Sequence, residues 1–243
     1  MTEATPSPAA LEYPGRLIIL GTATNGRRVV VYAITGRSPS SQARALVFRD
    51  RGVWVRPTDE ETLRKGNIDL LVYPAVLFDD RGVAVSNGRQ TADIASGLAA
   101  SGDPVAVLAG ALAKWDYEPD APIFTPRISG CLAGGRAGLS LVRRGPDGAT
   151  LRSYFEVTSR PGAGRLVSTY EGPNREPLPS FEGEPRDARL EGATARETVE
   201  AVYEALAPRA GGRDFRVAAA CAFIDPAKVE GFDLHIINRH ERT

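Results

Sequence analysis

The chain reads as an α+β protein with helices packed over antiparallel sheets. Three observations predict this. Short apolar runs of strand length come in consecutive pairs joined by turn signals. Helical spacing is confined to two regions. The regular strand–helix alternation of a parallel sheet is missing. At 243 residues the chain can bury a sizeable core.

Residues 1–14, acidic and proline-bearing, are expected to form a flexible leader to one domain spanning 15–243. RLIILGTATNGRRVVVYAIT (16–35) gives two strands around Asn25-Gly26, a dipeptide that supplies the positive φ angles of a primed hairpin turn. ARALVFRD (43–50) and VWVRPT (53–58) pair around Arg51-Gly52, and IDLLVYPAVLF (68–78) and VAVSNG (83–88) around Asp79–Gly82. Helical spacing follows in QTADIASGLAASG (90–102) and DPVAVLAGALAKWDY (103–117), where Asp103 caps and Pro104 takes the first turn. GLSLVRR (138–144), TLRSYFEVTS (150–159) and RLVSTYEG (165–172) read as strands, and Gly-rich AGGRAG (133–138) as a turn. Residues 172–192, proline-rich and polar, read as a linker or a long ordered loop. TARETVEAVYEALAP (194–208) carries a capping box in Thr194 and Glu197. RVAAACAFID (216–225) and FDLHIINRH (232–240) close the chain as strands.

Thirty basic and thirty acidic residues cancel, so no net basic face is offered to nucleic acid. All the basic residues but Lys65, Lys114 and Lys228 are arginine, so most single arginines read as solvated surface and only those in a rigid context carry weight. Cys131 and Cys221 sit among small apolar residues and read as buried thiols rather than a disulfide framework. With His235 and His240 they lack the spacing of a zinc site, and no metal is expected. No secretory h-region and no apolar run of membrane length occurs, so a cytoplasmic protein without a membrane partner is expected. Phosphate-binding glycine loops and nucleophile elbows are likewise missing.

Three stretches carry candidate chemistry. In TGRSPSSQAR (35–44) the guanidiniums of Arg37 and Arg44 and the hydroxyl of Ser38 suit a phosphate; the same residues also read as a polar hairpin loop. In VSNGRQTAD (85–93) Asn87-Gly88 leaves a strand and a helix begins, which suits an anion or a base edge, or a plain helix cap. In WDYEPDAPIFTPRISG (115–130) three prolines stiffen a loop that holds Glu118 and Asp120 near Arg127, as a binding wall or as a pinned salt bridge. Tyr73 reads as a core aromatic or as a site residue. Together these describe a cleft at strand ends for a small anionic nucleotide.

The order of GRLIILGTATNGRRVVVYAITGRS (15–38), the Tyr73 strand, SNGRQTADI (86–94), DYEPDAPIFTPRISG (116–130), STYEG (168–172) and PLPSFEGEP (177–185) resembles the archaeal-type IMP cyclohydrolase family. The resemblance implies a four-layer α-β-β-α sandwich of antiparallel sheets, similar to N-terminal-nucleophile hydrolases but without self-processing; Thr2 is a poor nucleophile candidate. It implies closure of 5-formamidoimidazole-4-carboxamide ribonucleotide to IMP with loss of water, without a cofactor. By position it makes Arg37, Tyr73 and Glu118 the catalytic set: Tyr73 or Arg37 on the formyl oxygen, Glu118 on the carboxamide. Ser38 and Arg44 would hold the phosphate, Asn87 and Gly88 the imidazole carboxamide or ribose, and Arg127 the substrate or Glu118. The expected partner is a purine ribonucleotide, with a homo-oligomer left open. The alternatives are a non-catalytic nucleotide-binding or regulatory protein and a related nucleotide amidohydrolase of the same fold.

Overall fold

The computed structural model describes residues 11–59, 72–172, 174–208, 212–226 and 228–242. Thr2, most of the expected leader and the start of the 68–78 strand lie outside them. The described residues form thirteen strands in two antiparallel sheets. β1 (Arg16–Thr22) and β2 (Arg28–Thr35) open the first sheet. A single helical turn, α1 (Pro39–Gln42), then leads to the second sheet. That sheet runs as a meander through β3 (Arg44–Arg49), β4 (Gly52–Pro57), β5 (Tyr73–Asp79) and β6 (Gly82–Ser86). Helices α2 (Gln90–Gly97) and α3 (Pro104–Leu112) interrupt it before β7 (Arg127–Ala133), β8 (Arg136–Arg144) and β9 (Thr150–Val157) complete it. The chain returns to the first sheet with β10 (Ala163–Ser168), β11 (Arg186–Arg189), β12 (Arg216–Asp225) and β13 (Lys228–Asn238), with α4 (Ala195–Ala205) between β11 and β12. The first sheet has the order β11-β10-β1-β2-β12-β13; the second follows the chain from β3 to β9.

Period-two alternation decides where each strand residue goes. On β1 and β2, Ile18, Leu20, Tyr32 and Ile34 point between the sheets and meet Val53, Val55, Val83, Val85, Leu139 and Leu141. Leu17, Ile19, Val29 and Val31 point outward and are covered by Val199 and Val202 of α4. Across the other sheet, Ala84, Cys131, Ala133 and Val142 are covered by Ile94, Val107, Leu108 and Leu112. Both faces of the inner strands of both sheets are therefore dry, which is why those strands read as near-continuous apolar runs rather than as alternating ones. Cys131 and Cys221 lie in opposite outer layers, so the cysteines and histidines do not assemble as a set. Among the described residues no helix is long and apolar enough to cross a membrane.

The structure corrects several local expectations. At Asn25-Gly26 only Gly26 has positive φ (84°), and Ala23 N–H bonds Arg27 O at 2.9 Å, so the connection is wider than a two-residue turn. The primed turn forms instead at Asp50 and Arg51, with φ of 49° and 53°, one residue before the expected Arg51-Gly52. RISGCLA (127–133) is strand β7 in the middle of the second sheet, and RDAR (186–189) is edge strand β11; neither was read as a strand. Asp103 caps α3 as expected, accepting from Val105 and Ala106 N–H. Thr194 caps α4, but Glu197 reaches back to Ala193 N–H (2.8 Å) rather than to the cap residue, so the box closes one residue early. The described end of the expected leader is built in: Leu11 and Tyr13 are buried, and Tyr13 stacks on Tyr170 at 5.9 Å. Residues 174–185 form an ordered loop, with Leu178 and Phe181 buried.

Gly82 shows how tightly the central strands approach. A Cβ there would lie 1.9 Å from the Leu132 carbonyl oxygen. Gly82→Ala must therefore separate β6 from β7, and we expect unfolding free energy to fall by roughly 3 kcal/mol, the upper end of overpacking costs, in a urea titration.

Candidate active site

Antiparallel order brings alternate strand ends together. The starts of β1, β5 and β7 and the ends of β2 and β6 meet at one end of the sandwich and enclose a cleft of about 730 Å³. The three residues expected to be catalytic, Arg37, Tyr73 and Glu118, all line it. So do Ser38, Arg44, Asn87, Gly88 and Arg127. Four separate stretches of sequence are thus brought to one wall-and-floor arrangement.

The floor is cationic. Arg16, at the start of β1, donates Nε–H to Tyr73 Oη at 3.3 Å and Nη1–H to the carbonyls of Gly15 and Thr35. Burial opposes its charge, but the tyrosine hydroxyls, Tyr73 first, outweigh that and leave its pKa above the ordinary arginine value. For Arg44 burial and then the nearby Arg16 charge push the pKa down, and its Nε is a buried donor without a hydrogen-bond partner. A half-buried pair of cations of this kind is stabilised by an anion with several acceptor oxygens.

One wall is the 113–127 segment. Glu118 and Arg127 meet through one contact, Nη1 to Oε1 at 3.3 Å, with side chains only 15% and 12% exposed. Arg127 also donates to the Asp116 carbonyl (2.7 Å) and to Gln90 Oε1 (3.3 Å), and it lies over the Trp115 ring. Burial pushes the Glu118 carboxyl above its ordinary pKa; the opposing pull of Arg127 does not overcome it. Burial thus outweighs the ion pair, which favours proton uptake by Glu118 relative to a free carboxylate. Prolines alone do not shape this wall. Asp120 folds the loop by accepting from Thr125 N–H (2.7 Å) and Thr125 Oγ1 (2.5 Å), and Thr125 Oγ1 also meets Tyr170 Oη at 2.7 Å.

The opposite wall differs from expectation in detail. Ser38 is the cap of α1, and its hydroxyl is engaged with Ser40 and Ser41. Arg37 is already paired: Nη2 lies 2.6 Å from Glu176 Oε1 and its guanidinium over the Tyr13 ring, which ties the loop after Gly172 to the rim. Asn87 and Gly88 lie on the Arg127 side of the cleft. Asn87 Oδ1 accepts from Ile128 N–H and from Gln90 Nε2, both at 3.0 Å, and its Nδ2 donates to the Pro126 carbonyl at 2.9 Å. That leaves one amide hydrogen for a ligand, so Asn87 chiefly fixes where β7 begins. A Cβ on Gly88 would sit 2.6 Å from Gln90 Oε1, so that side chain would have to shift.

The sequence profile of the IMP cyclohydrolase-like protein family matches residues 13–227, a span that holds every cleft element. The chain belongs to that family. Among its relatives is the IMP cyclohydrolase of Methanopyrus kandleri, 29% identical over 188 residues that make up 70% of this chain and 89% of the relative. The IMP cyclohydrolases of two Halobacterium salinarum strains are 31% identical over 202 residues, 82% of this chain and 90% of theirs.

Among the cleft residues to which the sequence reading gave no role are Arg16, Thr169 and Tyr170. Burial pushes the Tyr170 hydroxyl up to about 12, so it is neutral at physiological pH. Tyr13 lay in the presumed leader and was missed outright. The only signal for Arg16 was an arginine directly before an apolar strand, in a sequence where arginine is the default surface residue.

The bonding of Asn87 generates a prediction. Asn87→Ala removes three buried hydrogen bonds, each worth about 1 kcal/mol net. We expect a stability loss of about 3 kcal/mol by chemical denaturation, whereas a residue that served only to contact ligand would leave stability unchanged.

Proposed function

We infer that the chain is an IMP cyclohydrolase, closing 5-formamidoimidazole-4-carboxamide ribonucleotide to IMP. The observation that carries this is the convergence of the family's polar residues on one cleft in a chain that belongs to the family over most of its length. The two sheets with outer helices support a likeness to N-terminal-nucleophile hydrolases. A cytoplasmic purine ribonucleotide pathway is consistent with the reading.

The reaction asks for positioning, charge stabilisation and proton transfer. The carboxamide nitrogen adds to the formyl carbon and gives up one proton. The formyl oxygen takes the charge, gains that proton, then leaves as water while the former formamide nitrogen loses its hydrogen and a C=N bond forms. Glu118 is assigned to orient the carboxamide and accept its proton, a role that its raised pKa favours. Arg127 orients Glu118. Tyr73 or Arg37 is assigned to the formyl oxygen, and the Arg16–Arg44 floor, with Arg44 in the lead, to the phosphate.

The test is IMP formation, followed by absorbance, from the formamido ribonucleotide and purified protein. Glu118→Gln and Tyr73→Phe, shown to be folded, are each expected to lose roughly 10²-fold or more in kcat; full activity in both would overturn the assignment. The pH dependence has a defined sign. A protonated Glu118 cannot accept a proton, so kcat should rise with pH through an apparent pKa above the ordinary 4.5, and Glu118→Gln should abolish that limb.

A further inference from the structure

Tyr73 and Tyr32 form a buried hydroxyl pair, with oxygens 3.0 Å apart and side chains 41 positions apart in sequence. Either hydroxyl is able to donate, and the surroundings select one. Tyr32 points into the layer between the sheets, is fully buried, and has Tyr73 as its sole hydrogen-bond partner among the described residues. If Tyr73 donated, the Tyr32 hydrogen would be left without an acceptor among the described residues, since the nearby charged groups Arg16 and Arg44 can only donate. Tyr73, at the cleft, has somewhere else to direct its hydrogen. Arg16 can only donate, and its Nε–H is aimed at the same Tyr73 oxygen at 3.3 Å. Both lone pairs of Tyr73 Oη are then occupied, one by Tyr32 and one by Arg16.

We propose that Tyr32 and Arg16 are positioning residues that fix Tyr73 as a one-way hydrogen-bond donor into the cleft. The inference rests on the cyclohydrolase reading of that cleft. It deepens that reading by separating Tyr73 from Arg37. A hydroxyl with both lone pairs taken cannot accept a proton from the carboxamide; it can donate to an oxygen that gains negative charge, and two donors behind it strengthen that bond. Tyr73 therefore faces the formyl oxygen. Arg37, already paired with Glu176 at the rim, is left to binding.

Tyr32→Phe deletes one oxygen and keeps the ring. Its kcat should fall about tenfold at unchanged KM and near-unchanged melting temperature, less than the roughly 10²- to 10³-fold loss expected for deleting an oxyanion donor outright. The deciding comparison is a cycle with Tyr73→Phe. If Tyr32 acts through Tyr73, Tyr32→Phe/Tyr73→Phe should be no slower than Tyr73→Phe alone. An unchanged kcat in Tyr32→Phe, or a loss repeated in full in the Tyr73→Phe background, overturns the proposal. If Tyr32→Phe does not fold, Arg16→Lys withdraws the Nε donor while keeping a cation and enters the same cycle. A readout without turnover separates this from the functional reading. With ring-labelled tyrosine, the Tyr73 13Cζ resonance of the ligand-free protein should shift in Tyr32→Phe. An unmoved resonance overturns the proposal, whereas a wild-type protein that forms no IMP but shows the shift overturns only the cyclohydrolase reading.

Discussion

Two half-buried guanidiniums, Arg16 and Arg44, line one cleft at an end of the sandwich, and among the described residues neither forms an ion pair. Like charges brought together away from water repel and lose hydration, an arrangement that folding alone would not favour. The fold holds it because Arg16 is anchored on backbone carbonyls and on Tyr73, and because the dry layers on both sides of the sheets stabilise the body as a whole. The cleft is thus assembled around an unmet demand for negative charge. The other polar groups are arranged with respect to it: Glu118 faces the floor from one wall, and Glu176 holds Arg37 on the other.

Much of this fold was legible because its signals are local. Asp103-Pro104 and Thr194 start helices through chemistry confined to a few residues, and paired apolar runs announce hairpins. What was not legible depended on distant partners. β7 carries Gly130 and Cys131 where a strand signal needs bulky or alternating residues, and only its place in the middle of a sheet buried on both faces explains that composition. β11 is four mostly polar residues whose strand character comes from pairing with β10. The misplaced primed turn has a similar origin: Asp50 and Arg51 adopt positive φ because β3 and β4 leave only two residues between them, whereas the loop at Asn25-Gly26 is longer.

The site was legible through ordered motifs rather than through any single residue. The sequence reading named eight residues that the fold brings to one cleft. It did not reveal what each side chain is occupied with. Asn87 looked like a ligand reader, and its amide is mostly bonded to the backbone at the start of β7 and to Gln90. Tyr32 looked like one more apolar strand residue, since nothing in VVVYAIT tells which face meets a hydroxyl on another sheet.

The double-sided burial of the sheets also divides the molecule into parts that can and cannot vary. Odd and even positions of β1 and β2 are each committed to a dry layer, so almost any change there alters packing. The cleft floor is in that sense a fixed casting. The rim is built from the α1 turn, the 113–126 segment and the loop after Gly172, which carry fewer such commitments. A lineage that came to prefer a differently substituted ribonucleotide would be expected to change these three segments first, and to leave the arginine floor where it stands.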